Sequence, residues 1–168
     1  SAIPILAEDF RAQGISDLVV VATDVGAAKR ARDMADHLDS PIAIIEKQRV
    51  GNEDKVEASN LIGSVDGKTA LIVDDEIDTG GTVAAAAKLL ESHGANDIYC
   101  SVVHPLLSGG ASKKLETSPL SEIVVTDTLP VIGQKRFERL RILSVSSLLG
   151  EAIHRIHSGL SVGAMFEH

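Results

Sequence analysis

The feature that most constrains this chain is a strand-to-helix connection that carries acidic residues and paired glycines. Residues 70–73 (Ala-Leu-Ile-Val) form an apolar run, which predicts a buried parallel strand. Two adjacent carboxylates, Asp74 and Asp75, follow where that strand is expected to end. The turn 78–82 contains two glycines, and the apolar periodicity of 83–90 predicts a helix after it. The chain therefore predicts the order strand, acidic pair, glycine-rich turn, helix.

This connection predicts a phosphate site with hydroxyl acceptors beside it. Gly80 and Gly81 let the backbone turn tightly and bring its N–H groups close to a ligand. The helix N-terminus adds partial positive charge, which favours phosphate. Asp74 and Asp75 suit neighbouring hydroxyl groups or a metal-bound oxygen, so a phosphorylated sugar has both features. The alternative is an ordinary turn in which Thr82 caps the helix, and the acidic pair after a strand argues against it.

Composition limits the fold and excludes several classes of function. The 168 residues suffice for one domain, and with 44% hydrophobic but 2% aromatic residues the core must consist of Val, Ile, Leu and Ala. A net charge of -8 argues against non-specific nucleic-acid binding, which needs a basic face. We expect no membrane association, because no run approaches the ~20 apolar residues of a membrane span.

Targeting and redox features are sparse. We find no signal peptide and expect a cytoplasmic protein. The first residue, Ser1, is not a Met, so we expect a fragment of something longer. The single cysteine, Cys100, excludes a disulfide framework and a cysteine zinc site, and its apolar surroundings predict a buried core thiol.

Apolar runs and amphipathic stretches alternate along the chain, which predicts an α/β fold with a parallel sheet and right-handed crossovers. Strands are predicted at 18–22, 41–45, 60–65, 70–73, 97–103, 123–125 and 140–145. Helices are predicted at 5–13, at 27–38, from 83 onward, within 108–115 and at 146–157. The polar segment 46–57 is predicted to be an exposed, mobile loop.

Polar side chains recur at the carboxyl ends of the predicted strands. They are Asp24, Asp74, Asp75, His104 and Asp127. In open parallel sheets ligands bind at that edge, so the sequence predicts one binding site there.

Several segments together resemble the ribose-phosphate pyrophosphokinase family, the synthetases of phosphoribosyl pyrophosphate (PRPP). Residues 73–82 resemble the ribose-5-phosphate or PRPP motif of the type I phosphoribosyltransferase fold, and 21–31 resemble a Ser-Pro-Asp-x-Gly-Gly-x-x-Arg segment of the synthetases. Further similar segments are 45–49, which resembles their catalytic flexible loop, 104–109, 124–128 and 148–159. The resemblance covers essentially the whole chain but only the C-terminal half of those enzymes.

The resemblance implies a fold and a domain organisation. The fold would be three-layer α/β, with a mainly parallel twisted sheet flanked by helices, like that of type I phosphoribosyltransferases. Residues 1–168 would be a single domain, the C-terminal domain of a longer two-domain protein. The N-terminal half, which in the family supplies most ATP-binding residues, is absent, so we expect this chain alone to be inactive.

The resemblance also implies an activity and residue roles. The family transfers a pyrophosphoryl group from Mg-ATP to the 1-hydroxyl of ribose 5-phosphate, giving PRPP and AMP. Lys47 and Arg49 would be catalytic, and Asp24 would be a ligand of the Mg²⁺ cofactor. The residues implied to bind ribose 5-phosphate are Arg49, Asp74, Asp75, Asp78, Thr79, Gly80, Gly81 and Thr82. The partners implied are ribose 5-phosphate and ATP or PRPP, with a homo-oligomer of hexamer type and no nucleic acid.

Two positions depart from the family's pattern, and several polar residues have a structural interpretation beside the functional one. Thr23 replaces the usual Pro and Ala27 the second Gly of the Asp24 segment. Without the resemblance, Lys47 and Arg49 would be solvated surface charges, and Asp24 a turn residue or helix cap. His104 is expected to be structural, and His154 and His157 to lie on a helix surface. Arg30, Arg32 and Arg155 are expected to be surface or interface groups.

Two other functions stay open from the sequence. One is a phosphoribosyltransferase that consumes PRPP, which needs a hood for a nucleobase; the chain shows no aromatic residues to build one. The other is a non-catalytic regulatory subunit of a synthetase complex. Lys47 and Arg49 argue against that second function, since such a subunit needs no catalytic loop.

Overall fold

The structure is a computed structural model that describes residues 1–49 and 56–165, and the side chains at 47–49 and 56–59 lie outside that description. The strands are β1 (Leu18–Ala22), β2 (Ile42–Arg49), β3 (Val56–Ile62), β4 (Thr69–Ile77), β5 (Asp97–Pro105), β6 (Glu122–Thr126) and β7 (Leu140–Leu143). The helices are α1 (Ile3–Ala12), α2 (Ala28–Leu38), α3 (Gly81–Ser92), α4 (Ala111–Glu116) and α5 (Ser146–His157).

One sheet organises the described residues. Its strand order is β3-β2-β1-β4-β5-β6-β7, and every neighbouring pair except β2 with β3 is parallel. At the carboxyl end of β1, Ala22 lies between Ile44 of β2 and Val73 of β4. The loops that follow β1 and β4 therefore begin side by side.

The apolar strands bury both of their faces, which gives three layers. In β1, Val19 and Val21 pack towards the side covered by α3 and α4, whereas Val20 and Ala22 pack towards the side covered by α1 and α2. Successive strand residues point to opposite faces, so a strand with helices on both sides must be apolar throughout. Cys100 is buried, as predicted. The predicted three-layer, mainly parallel α/β architecture is confirmed.

The prediction of a loop at 46–57 is wrong in part. β2 pairs with β1 over Ile42–Ile44, and β2 continues to Arg49 with β3 as its partner. β3 begins at Val56, four residues before the predicted strand, and the register shifts between Gln48 and Arg49. Such a two-stranded arm is held by backbone hydrogen bonds beyond the three-layer core, so it needs no apolar run to mark it.

The acidic pair lies within a strand instead of after it. β4 extends to Ile77 and pairs with β5 past the two carboxylates, up to Pro105. α5 matches its predicted bounds, yet none of its residues is buried. In the described part of the chain, no helix is long and apolar enough to cross a membrane.

Candidate functional site

The glycine-rich turn joins β4 to α3 in a conformation that only a glycine adopts easily. Gly80 has φ 71° and precedes the first residue of α3, Gly81. A Cβ atom on Gly80 would lie 3.1 Å from Cγ of Leu115, so both the dihedral angle and the space require glycine. The turn therefore directs the first N–H groups of α3 into the loop, where an anion would be stabilised.

The chain after β5 supports this turn from outside. The backbone N–H of Leu107 donates to the carbonyl of Ile77 at 3.0 Å, and that of Ser108 donates to the carbonyl of Asp78 at 2.9 Å. The Ser108 hydroxyl also donates to the Asp78 carboxylate. These bonds extend the β4–β5 pairing into the turn and fix its first residues, where the chain leaves β4.

The acidic pair is held by donors from the loop after β1, from α2 and from its own backbone. Thr23 donates its hydroxyl proton to Oδ2 of Asp74 at 2.8 Å. Arg30 of α2 donates through Nη1 to Oδ1 of Asp74 at 3.2 Å and through Nη2 to Oδ2 of Asp75 at 2.7 Å. The N–H of Asp75 donates to Oδ1 of Asp74 at 2.9 Å. One guanidinium therefore bridges both carboxylates.

The two carboxylates titrate differently because they are buried differently. The Asp74 side chain is 17% exposed, whereas that of Asp75 is 58% exposed. Burial raises the pKa of Asp74, against hydrogen bonds from Thr23 and the Asp75 backbone that lower it. At Asp75 burial is the largest single effect and raises the pKa, but the hydrogen bond with Asp74, the charge of Arg30 and backbone hydrogen bonds together outweigh it, so the pKa of Asp75 is lowered. Asp75 is thus the more readily ionised member.

The predicted residues of two separate segments line one pocket of about 220 Å³. Asp24 contributes to it from the loop after β1, which is adjacent to β4 in the sheet. The other lining residues are Asp74, Asp75, Glu76, Ile77, Asp78, Thr79, Gly80, Gly81, Thr82 and Val83. The structure therefore brings together every predicted site residue except Lys47 and Arg49, whose side chains lie outside the described residues.

Asp24 suits a magnesium ion that keeps most of its own water. Its Oδ1 accepts the N–H of Ala27 at 2.9 Å, which orients the carboxylate at the pocket. Among the described residues, no group of three or more His, Cys, Asp or Glu could hold a metal ion. Mg²⁺ is commonly bound by one or two carboxylates together with substrate phosphates and water, so a single pocket carboxylate fits it.

Some residues of the site were not predicted from the sequence. Arg30 was expected to be a surface or interface group, and its ion pairs with Asp74 and Asp75 in the site were not predicted. Its position at the end of the Ser-Pro-Asp-x-Gly-Gly-x-x-Arg-like segment was the available signal. The contributions of Thr23 and Ser108 had no local signal, because their partners are distant in the sequence. His104 accepts or donates a hydrogen bond with Thr128 at 3.0 Å, which agrees with a structural role.

Comparison with known proteins identifies the family. A family model described as the phosphoribosyl synthetase-associated domain matches residues 52–167. The chain belongs to this phosphoribosyl synthetase-associated family. A ribose-phosphate pyrophosphokinase of Halalkalibacterium halodurans is 44% identical over 165 residues, which is 98% of this chain and 52% of that enzyme. The chain spans about half the length of the curated relatives it matches.

Solved structures give the same family and fold. The phosphoribosylpyrophosphate synthetase from Mycobacterium smegmatis superposes with a TM-score of 0.87 at 35% identity, over 94% of this chain and 51% of that one. A purine phosphoribosyltransferase from Pyrococcus horikoshii superposes with a TM-score of 0.50 at 20% identity, over 85% of both chains, and shares the fold alone. The predicted resemblance to the synthetase family and the phosphoribosyltransferase-like fold are both confirmed.

Proposed function

We propose that this chain is the ribose-5-phosphate-binding domain of a ribose-phosphate diphosphokinase, and that residues 1–168 form one domain of a longer, two-domain protein. The observation that carries the proposal is the single pocket formed by the Gly80–Gly81 turn, the acidic pair and Asp24. A sugar phosphate needs an anion site and hydroxyl acceptors a few ångströms apart, and this pocket offers both. Among reactions of a phosphorylated sugar, we choose pyrophosphoryl transfer because the chain belongs to the synthetase-associated family.

The phosphate of the sugar would lie at the turn 78–82. The N-terminal N–H groups of α3 point into this turn, and the helix dipole favours a negative charge there. The hydroxyls of Thr79 and Thr82 provide further donors at the pocket wall. With the 5-phosphate end of the sugar at this turn, its ring would extend towards the acidic pair.

The acidic pair would accept the hydroxyl protons of the ribose ring. A carboxylate has about four acceptor positions. On Asp74, donors in the described chain occupy two positions at Oδ1 and one at Oδ2, which leaves one at Oδ2. Asp75 is more exposed and can accept a second hydroxyl. Arg30 neutralises part of their charge, so that the pair can adjoin an anionic substrate.

The reaction joins the 1-hydroxyl oxygen of ribose 5-phosphate to the β-phosphorus of ATP. The bond from that phosphorus to the oxygen that bridges it to the α-phosphorus breaks, AMP leaves with this oxygen, and the hydroxyl proton is released. Such a transfer depends on positioning and on stabilising phosphoryl charge. Mg²⁺ near Asp24 would supply part of that stabilisation. We assign Lys47 and Arg49, carried by the β2 backbone, to the phosphoryl oxygens, and Arg49 also to the sugar phosphate.

The test uses the full-length protein that contains this chain. With ribose 5-phosphate and Mg-ATP it should form AMP and PRPP in equal amounts, and formation should stop when the sugar phosphate is omitted. Lys47→Ala should lower kcat by about 100-fold or more, because a charge that acts in the transition state is lost. Unchanged turnover in that variant would remove the catalytic assignment and favour a regulatory subunit. Pyrophosphate release from PRPP that depends on a nucleobase would favour a phosphoribosyltransferase instead.

The assembly and the binding pair are tested separately. We propose a homo-oligomer of hexamer type for the full-length protein, to be checked by light scattering after size-exclusion chromatography. Asp75→Asn should raise the KM for ribose 5-phosphate by about 10-fold, the cost of weakening a charged hydrogen bond. Asp36→Asn on the exposed face of α2 is the matched control and should leave KM unchanged.

A further inference from the structure

The pocket is lined by negative charge, although the proposed ligand is itself an anion. Five carboxylates line it, and none of its described lining residues is Lys, Arg or His. A phosphate monoester carries about −1.5 to −2 charges at neutral pH, whereas a helix N-terminus offers only about half a positive charge. Arg30 is already engaged by Asp74 and Asp75. Arg49, which we assign to the sugar phosphate from β2, would offset part of this charge, and a second cation beside the turn would offset more of it.

Lys114 of α4 reaches the phosphate end from behind the turn. Its Nζ donates to the carbonyl oxygen of Thr79 at 2.9 Å. The same atom lies 3.9 Å from the position that a Cβ on Gly81 would occupy, so it lies beside the first residue of α3. An ammonium group has three N–H donors, and the bond to Thr79 uses one of them. Two donors and the full charge remain for a ligand.

The backbone that carries Lys114 is fixed against the turn. Ala111 and Leu115, which flank it on α4, are fully buried in the core on this side of the sheet. A Cβ on Gly80 would lie 3.1 Å from Cγ of Leu115 and 3.5 Å from Cβ of Ala111, which shows how closely α4 packs on the turn. The neighbouring Lys113 is exposed and has no hydrogen bond to the turn among the described residues.

We propose that Lys114 is a second cationic phosphate-binding residue of this pocket beside Arg49, donating from α4 to a phosphate group held at the N-terminus of α3. The proposal rests on the proposed function for the identity of the ligand, a phosphorylated sugar. The contacts of Lys114 at Thr79 and Gly81 give the position of its ammonium group beside the turn. Lys114 thereby adds to the turn the charge that the lining residues lack.

The experiment compares Lys114→Gln, Lys114→Arg and Lys113→Gln in the full-length protein. Lys114→Gln should weaken binding of ribose 5-phosphate, measured by calorimetry and as KM, by about 10-fold to 100-fold, with kcat changed by less than about 3-fold. Lys114→Arg should retain most of the affinity because it keeps the charge. Lys113→Gln removes the same charge one residue away and should bind like the wild type.

The dependence on salt separates a phosphate contact from mere support of the turn. Gln can still donate to the Thr79 carbonyl, so a supporting role predicts a salt dependence equal to that of the wild type. A charge contact predicts that the wild type loses affinity faster than Lys114→Gln as salt rises. Equal affinities, or equal salt dependence, in the wild type and Lys114→Gln would overturn the Lys114 assignment. If the wild type still formed PRPP, the proposed function would be unaffected by that result.

A titration with inorganic phosphate tests the contact between Lys114 and a phosphate group without the reaction. Inorganic phosphate is titrated into wild type and Lys114→Gln while the amide resonances of Gly80 and Gly81 are followed. The wild type should show saturable shifts at lower phosphate concentration than the variant. Indistinguishable titrations would contradict the proposal. Absence of PRPP formation by the wild type would contradict only the proposed function.

Discussion

Thr23 is buried beside the acidic pair, at a position where the synthetases have Pro in the segment that this chain resembles. Its hydroxyl donates to Oδ2 of Asp74 at 2.8 Å, and Pro has no side-chain donor to make that bond. The hydrogen bond lowers the pKa of Asp74 and opposes the effect of burial. In this chain, a residue that departs from the pattern of one motif thus helps to set the charge and orientation of a residue in another.

Thr23→Val should therefore raise the pKa of Asp74 further, because the shape is kept while the donor is lost. It should also destabilise the chain by about 1–3 kcal/mol, the cost of a buried acceptor that loses its partner. Carboxyl ¹³C resonances followed over pH measure the first effect, and urea unfolding measures the second. Thr23→Ser keeps the hydroxyl and is the control. A pKa of Asp74 that is the same in the Val and Ser variants would contradict the role of the hydroxyl.

A second residue-scale prediction concerns the ion pairs at the opposite side of the fold. Arg141 of β7 donates to Oδ2 of Asp9 in α1 at 2.6 Å and to Oε2 of Glu122 in β6 at 2.9 Å. The hydrogen bond from Arg141, against an opposing effect of burial, holds the pKa of Asp9 below its ordinary value near 3.8. A lowered carboxyl pKa stabilises the fold above the unfolded-state value, and this stabilisation is lost as pH falls through the folded-state value.

Asp9→Asn should accordingly lower the free energy of unfolding at pH 7 by about 1–2 kcal/mol. This is the contribution of a charged hydrogen bond, made smaller because the pair is partly exposed to solvent. The difference between variant and wild type should shrink as the pH is lowered below 3.8. Urea unfolding at a series of pH values measures it, with Asp36→Asn as an exposed control. A difference that is independent of pH would show that Asp9 acts through packing and not through its charge.

At the scale of elements, the connection between β4 and α3 depends on how closely α4 packs on it. Gly80→Ala adds a methyl group 3.1 Å from Leu115 and forces a side chain into a left-handed conformation. Gly109→Ala imposes the same kind of dihedral strain, at φ 56°, with no atom within 4 Å. Gly109→Ala should lower the free energy of unfolding by about 1–2 kcal/mol. Gly80→Ala should lower it by about 1–3 kcal/mol more than Gly109→Ala does, because the added methyl group also meets Leu115. Urea unfolding compares them, and equal costs would show that α4 yields to the added methyl group.

The elements also show which features the sequence could predict. β1 and the core of β4 are apolar on both faces, because helices cover both sides of the sheet, and such runs are visible without a structure. The Gly80–Gly81 turn was predicted because its two neighbours, a strand and a helix, were themselves clear. The outer part of β2 was missed because a two-stranded arm can be polar and still be held by its backbone pairing. The part of Arg30 in the site was missed because its partners, Asp74 and Asp75, are far away in the sequence.

At the scale of the whole molecule, α5 stands apart from the compact layers. Leu149, Ile153 and Ile156 recur at helical spacing and are each more than half exposed. No residue of α5 is buried. Exposed apolar groups of this kind are typical of interaction surfaces. This agrees with the proposal that the chain is one domain of a longer protein, and with a chain that spans about half the length of its relatives.

The isolated chain should bind ribose 5-phosphate weakly and form no PRPP. Its candidate pocket has a volume of about 220 Å³ and is lined by carboxylates. Ligand sites for larger molecules usually occupy about 300–1,000 Å³, so a sugar phosphate fits this pocket, but ATP in addition does not. In the two-domain protein that we propose, the nucleotide would be held largely by the other domain. Incubation with ribose 5-phosphate and Mg-ATP, followed by assay of AMP and PRPP, measures this, with the full-length protein as the positive control. PRPP formation by the isolated chain would show that its own residues complete the ATP site, and the two-domain proposal would lose its main chemical argument.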